Sequence, residues 1–127
     1  MDMPVKRVLI VEDNADNMEL ITFILERYGH QTIRTFDGLS AIKAAENENF
    51  DFIILDIQLP DIDGTEVLKR VRAEGFNRQT PIIAMTSYAM SGDRESLMAA
   101  GCDGYIEKPI DPAIVIDQIN AILEKRR

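Results

Sequence analysis

Several polar side chains stand directly after short strand-like runs, and together they have the chemistry of a phosphate-handling site. Phe52-Ile53-Ile54-Leu55 leads into Asp56, and Val8-Leu9-Ile10-Val11 leads into Glu12-Asp13-Asn14. Pro81 to Met85 leads into Thr86-Ser87, and Gly104-Tyr105-Ile106-Glu107 leads into Lys108-Pro109. Carboxylates brought together repel and raise one another's pKa. A hard divalent cation relieves this, and Mg²⁺ (or Mn²⁺) suits a set of carboxylates, waters and phosphate oxygens. Lys108 would add a second positive charge and Thr86 a hydroxyl able to hydrogen-bond an anion. A metal, a lysine and a hydroxyl around one carboxylate make a site for a phosphoryl group on that carboxylate, here Asp56.

Each residue also has a plainer reading. Asp56 alone could be a turn or capping aspartate, as Asp37, Asp63 and Asp111 are read here. Glu12-Asp13 could cap a helix, although a cap explains one acid better than two. Lys108 could be a surface lysine. Thr86 could be a strand-end β-branched residue, with Ser87 supplying the hydroxyl. Tyr105 could be a half-buried aromatic on an edge strand.

The elements that would carry these residues decide between the readings. A short continuous apolar run bounded by turn signals reads as a strand buried on both faces. Helical spacing follows each strand: Met18, Ile21, Ile24, Leu25 and Tyr28 before Gly29, then Leu39, Ile42 and Ala45 after Asp37-Gly38. Val67, Leu68 and Val71 follow Asp63-Gly64, a weaker helix spans Ser91 to Ala100, and a last one starts at Asp111-Pro112. Five strand-then-helix repeats predict an α/β fold with a parallel sheet covered on both faces. Strands one, three and four are apolar and should be central; strands two and five are shorter or more polar and should be edges. That is the doubly wound, flavodoxin-like order 2-1-3-4-5. All strands then point one way, and Glu12, Asp13, Asp56, Thr86 and Lys108 reach one rim of the sheet.

Bulk properties narrow the function. A chain of 127 residues with 46% hydrophobic and 28% charged content is read as one domain over 1–127, without an output domain. A net charge of -8 argues against nucleic-acid binding and against docking on anionic membrane. The single cysteine, Cys102, excludes an internal disulfide and a Cys-based zinc site. With neither a long apolar run nor a secretory signal core, a cytoplasmic location is expected. The oligomeric state is left open, with a monomer as the expectation.

These motifs, in this order, resemble the response-regulator receiver domains of two-component signalling, whose fold is also called CheY-like. The matching pieces are Val8 to Asn14, Ile54 to Pro60, Asp63-Gly64, Pro81 to Ser87 and Gly101 to Pro109, which together span essentially the whole chain. The resemblance is greatest to DivK-type single-domain regulators and to the receivers of hybrid kinases. It implies that Asp56 accepts a phosphoryl group from a histidine kinase or a histidine phosphotransfer protein. It implies Mg²⁺ held by Asp13, Asp56 and the backbone carbonyl of Gln58, with Glu12 acting largely through water. Lys108 would pair with the phosphoryl oxygens, Thr86 would move toward them, and Tyr105 would change rotamer in response. The Lys108-Pro109 bond is often cis in such domains. A downstream protein would read helix four, strand five and helix five. Turnover would be limited to self-phosphotransfer and autodephosphorylation, tuned by Gln58 and Tyr88. An excised hybrid-kinase module and a phosphorelay intermediate remain as alternatives.

Other function classes fit less well. A phosphohydrolase using an aspartyl phosphate would want a second acid where Gln58 stands. A flavin-binding protein would want an uncharged loop where Glu12-Asp13 would repel phosphate. Among the remaining residues, His30 is expected at the surface, Cys102 in a loop without redox role, and Phe76 folded back on the core. In the last helix Val115, Ile119 and Ile122 form an apolar stripe, widened by Ile114, Ile116 and Leu123. That breadth reads as a broad core contact or as a partner surface.

Overall fold

The computed structural model describes residues 6–87 and 91–125. Strands and helices alternate: β1 (Arg7–Val11), α1 (Ala15–Arg27), β2 (Gln31–Thr35), α2 (Gly38–Asn47), β3 (Phe52–Asp56), α3 (Gly64–Ala73), β4 (Ile82–Thr86), α4 (Ser91–Ala100), β5 (Gly104–Glu107) and α5 (Val115–Lys125). The strands form one parallel sheet in the order β2-β1-β3-β4-β5, with the polar strands at the edges. This is the flavodoxin-like architecture that the alternation and strand polarity predict.

The strands are apolar on both sides because each side faces helices. Val8, Ile10, Phe52, Ile54, Ile83, Met85 and Ile106 pack with α1 and α5. Leu9, Val11, Ile53, Leu55, Ile82 and Ala84 pack with α2, α3 and Leu97 of α4. Cross-strand partners therefore share a layer, as in the row Val11, Leu55, Ala84 and Tyr105. Helix starts follow their local chemistry. The side chains of Asn14, Asp37 and Asp63 each accept a hydrogen bond from a first-turn N–H of α1, α2 and α3. After α1, Gly29 adopts φ +88°, a backbone conformation in which a side chain would be strained.

Several expectations are corrected. Leu39 and Tyr28, placed on core-facing stripes by spacing, are 55% and 57% exposed. Leu39 lies in the first turn of α2 and Tyr28 at the cap of α1, where the helix face turns away from the sheet. Phe76 is 60% exposed, because the fully buried Phe50 and Asn77 fill the space beneath its loop. His30 is only half at the surface: its ring stands edge-on to Phe52, centroids 6.0 Å apart, and its buried Nδ1 lacks a hydrogen bond. Helix α5 begins at Val115 rather than at Pro112; a turn precedes it, with the Asp111 carboxylate accepting from Ala113 N–H. Val115, Ile116 and Ile119 are buried and Ile122 and Leu123 pack beside them, so most of the α5 stripe is core; Ile114 stays exposed. The charges of Arg126 and Arg127 lie outside the described residues. No described helix is long and apolar enough to cross a membrane.

Candidate functional site

Parallel strands deliver their carboxyl ends to one rim, and there the structure gathers most of the candidate residues. Glu12 follows β1, Asp56 ends β3, Thr86 ends β4 and Lys108 follows β5. The Lys108 ammonium sits between two carboxylates, 2.8 Å from Oε1 of Glu12 and 3.0 Å from Oδ2 of Asp56. These side chains are almost entirely out of water, at 12% exposure for Lys108, 3% for Glu12 and 4% for Asp56. The other oxygens are also engaged. Asp56 Oδ1 accepts from Gln58 N–H at 2.9 Å, and Glu12 Oε2 accepts from Asn14 N–H at 3.1 Å. Asp13 is exposed at the mouth, with a carboxylate oxygen that shares a 4.8 Å cluster with oxygens of Glu12 and Asp56.

Burial and charge set the protonation of this group. Burial pushes the Glu12 carboxyl up to about 7; Lys108 acts against this, and Asp56 adds to it. For Lys108, burial acts to remove the proton, but Glu12 and Asp56 outweigh it and hold the ammonium above its ordinary range. Three carboxylates facing one ammonium leave an excess of negative charge. Their donor set is all oxygen, clustered and open at Asp13, which fits a hard divalent cation such as Mg²⁺.

The remaining candidates are placed around this centre. Gln58 meets Asp56 through its backbone N–H, while its own side chain is exposed. Thr86 is 4% exposed and borders a cavity of about 170 Å³ lined also by Ile57, Asp63, Thr65, Ser96 and Leu97. Tyr105 lies two register rows from Thr86 along β5, on the same face of the sheet and partly buried, with the Arg94 guanidinium carbon 4.9 Å from its ring centroid. The Lys108-Pro109 peptide is cis. Tyr88 lies outside the described residues. Sequence reasoning passed over two residues near this rim or bracing it. Arg94 gives no periodic or motif signal, and Asp61 reads as one more loop acid. Asp61 accepts hydrogen bonds from Gly38 and Leu39 N–H at 2.8 and 2.9 Å, a pairing between a loop and the start of a distant helix that only the fold reveals.

The chain is similar to known proteins in both sequence and fold. The chain matches the family model of the response regulator receiver domain over residues 8–120. It is 43% identical over 118 residues to the polar-differentiation response regulator DivK of Brucella anthropi, covering 93% of this chain and 96% of that protein. It is similar to the receiver domain of a Pseudomonas aeruginosa sensor histidine kinase that has a magnesium ion coordinated in its active site cleft. That match has a TM-score of 0.85 and 33% identity, covering 95% of this chain and 99% of the other. The chemotaxis response regulator CheY4 of Vibrio cholerae superposes with a TM-score of 0.89 at 26% identity, covering 94% and 99%.

Proposed function

This chain belongs to the response regulator receiver domain family, and from that membership we propose that it is a phosphorylation-controlled switch with Asp56 as the phosphoryl acceptor. The observation that carries the reading is a buried carboxylate, Asp56, held between Lys108 and a cluster of further acids at the rim of a parallel sheet. A phosphohistidine of a histidine kinase or phosphotransfer protein is the donor. An Asp56 oxygen attacks phosphorus, the P–N bond breaks, and its electron pair returns to the imidazole. Asp13, Asp56 and the backbone carbonyl of Gln58 would hold Mg²⁺, with Glu12 beside them. The cation would neutralise charge on the transferring group.

This chain's own residues supply the rest. Lys108 already points its ammonium at Asp56 Oδ2, so a charged donor stands beside the oxygen that would carry the phosphoryl group. Phosphorylation replaces one negative charge on Asp56 by about two and adds strong acceptors. Thr86 turns its hydroxyl toward them, and the cavity beside it leaves room for the neighbouring side chains to rearrange. Tyr105 shares a sheet face with Thr86 and follows it. The altered surface of α4, β5 and α5 is read by a downstream protein. Converting a mostly inactive population to a mostly active one takes about 5 kcal/mol. Two or three charge-assisted hydrogen bonds, at about 1.5–3 kcal/mol each, are of that size. Turnover is confined to self-phosphotransfer and autodephosphorylation.

Substituting Asp56→Asn is expected to abolish uptake of a labelled phosphoryl group while leaving the fold intact; retained label would rule out the acceptor assignment. Capture of partners with and without beryllofluoride and Mg²⁺ tests the switch, which equal capture would sink. The likeness to a sensor kinase's receiver supports a second reading, in which Asp56 passes the group to another histidine. Loss of label to an added phosphotransfer protein, faster than hydrolysis, distinguishes the two.

A further inference from the structure

The loop between Asp56 and α3 is tied to a helix that plays no part in the proposed chemistry. Helix α2 has its own cap: Asp37 Oδ1 accepts from Ser40 N–H at 2.7 Å. Its two remaining first-turn donors go elsewhere. Gly38 N–H and Leu39 N–H donate to the two carboxylate oxygens of Asp61, at 2.8 and 2.9 Å. The Gly38 N–H and its neighbours hold the Asp61 carboxyl below the usual carboxylate range, so it is charged wherever the protein works. An anion at a helix N-terminus is favoured by the free N–H groups and by the helix dipole. The contact is also sterically close. A Cβ on Gly38 would lie 2.5 Å from Cγ1 of Ile62, the residue next to Asp61, so any larger residue would force the Ile62 side chain to move.

The same loop orients the acceptor. It leaves β3 at Asp56 and returns to α3 with Gly64 N–H donating to Ile57 C=O at 3.0 Å. Within it, Gln58 N–H holds Asp56 Oδ1, which leaves Oδ2 facing Lys108. Asp61 is the loop's outer anchor and Gln58 its inner contact.

We propose that Asp61 is a positioning residue for the phosphoryl acceptor: by clasping the start of α2 it fixes the loop 57–63, and through Gln58 N–H it fixes the orientation of Asp56. This rests on the acceptor reading of Asp56. Without the clasp, the loop must be ordered each time a phosphoryl group or its mimic binds. Fixing even one backbone residue corresponds to about tenfold in a binding constant.

The test compares Asp61→Ala, Asp61→Asn and Asp37→Ala in the full chain. Asp37→Ala removes a cap from the same helix end without touching the loop, and so controls for a merely structural role. Two quantities are read: hydrogen exchange of the Gln58 amide in the free protein, and the affinity for beryllofluoride with Mg²⁺. Asp61→Ala should speed Gln58 exchange and weaken beryllofluoride binding about tenfold. Asp61→Asn, which keeps one acceptor oxygen, should fall between it and the parent protein. Asp37→Ala should leave both readings near those of the parent. Equal effects from Asp37→Ala and Asp61→Ala, or none from either Asp61 variant, overturn the proposal and reduce Asp61 to a second cap. If Asp61→Ala does not fold, Asp61→Asn against Asp37→Ala decides by the same criteria. A parent protein that takes up no beryllofluoride overturns the acceptor reading and this inference with it; uptake unaffected by Asp61 overturns the inference alone.

Discussion

The two ends of the sheet are built on opposite electrostatic plans. At the amino ends of the strands, buried polar groups other than His30 Nδ1 are matched. Asn77, 1% exposed, donates to the carbonyls of Ala45 and Glu48 at 2.7 and 2.8 Å. Its Oδ1 accepts from Phe50 N–H and the Thr80 hydroxyl, both at 2.9 Å. Beside it, the Arg72 guanidinium donates to the carbonyls of Gly101 and Thr80 and to the Asp103 carboxylate, which also accepts from Ile82 N–H. These bonds join the loops preceding β3, β4 and β5. At the carboxyl ends the balance is reversed. Glu12 and Asp56 are equally buried but share one ammonium, with Asp13 adding further negative charge. One end satisfies its loop-bridging polar groups around Asn77 and Arg72 and holds the fold; the other keeps an unmet demand for positive charge, as sites that bind cations and transfer phosphoryl groups do.

The largest effect is expected from breaking the matched end. Asn77→Ala strips partners from Phe50 N–H, the Thr80 hydroxyl and two carbonyls in a site closed to water. The cost should be about 3–5 kcal/mol, read as a lower urea midpoint at unchanged slope. Mg²⁺ affinity of the folded protein should stay within about twofold, since separated sites act independently. A parallel loss of metal affinity would show that the two ends are not separate.

The site's own instability should appear as a pH dependence of the opposite kind to ordinary acid denaturation. Glu12 titrates at about 7 when folded and near 4.5 when unfolded, because burial disfavours its charge. Between those values the folded state binds more protons than the unfolded one. Its contribution therefore falls as pH rises from about 4.5 to about 7, by about 1–3 kcal/mol. Melting of metal-free protein at pH 5 and 7.5 should show this loss, Glu12→Gln should flatten it, and Mg²⁺ should restore more stability at pH 7.5 than at pH 5. A metal-free protein as stable at pH 7.5 as at pH 5, with Glu12→Gln unchanged from it, would place the strain elsewhere.

The same contrast explains what could be read from the sequence. The rim residues were legible because each follows a strand, and a parallel sheet converts that one-dimensional regularity into a shared edge. Strand order was legible because β2 carries Gln31, Thr32 and Arg34 where β1, β3 and β4 are apolar. The matched end was not. Asn77 and Phe76 sit side by side in one loop, and hydrophobicity favours Phe76 as the buried member. The fold buries Asn77 instead, because four backbone and hydroxyl groups from three segments converge there and need a side chain with both donors and acceptors. Arg72 and Asp61 were missed for the same reason. Apart from the Asp103 carboxylate beside Arg72, their partners are backbone N–H and C=O groups, which every residue carries and no sequence pattern marks. The start of α5 shifted because Asp111-Pro112 closes a turn that precedes the helix.

The smallest effect is the most discriminating, because its sign depends on conditions. Asp56→Asn removes a charge from the crowded end while keeping an oxygen for Gln58 N–H. Its new amide N–H can donate to the neighbouring Glu12 carboxylate, and Lys108 keeps Glu12 as partner. In metal-free protein at pH 7.5 the variant should therefore be more stable than the parent by about 1 kcal/mol, the usual scale for relieving a strained functional site. At pH 5, where the folded protein holds the Glu12 proton, there is little repulsion to relieve and the gain should vanish. With Mg²⁺ the order should invert, since the parent gains a ligand-linked stabilisation that a neutral amide supports poorly. A matched end offers no such reversal. Substitutions at Asn77 should cost stability in every buffer, and a variant of Asp56 that did the same would mean that its carboxylate serves the fold.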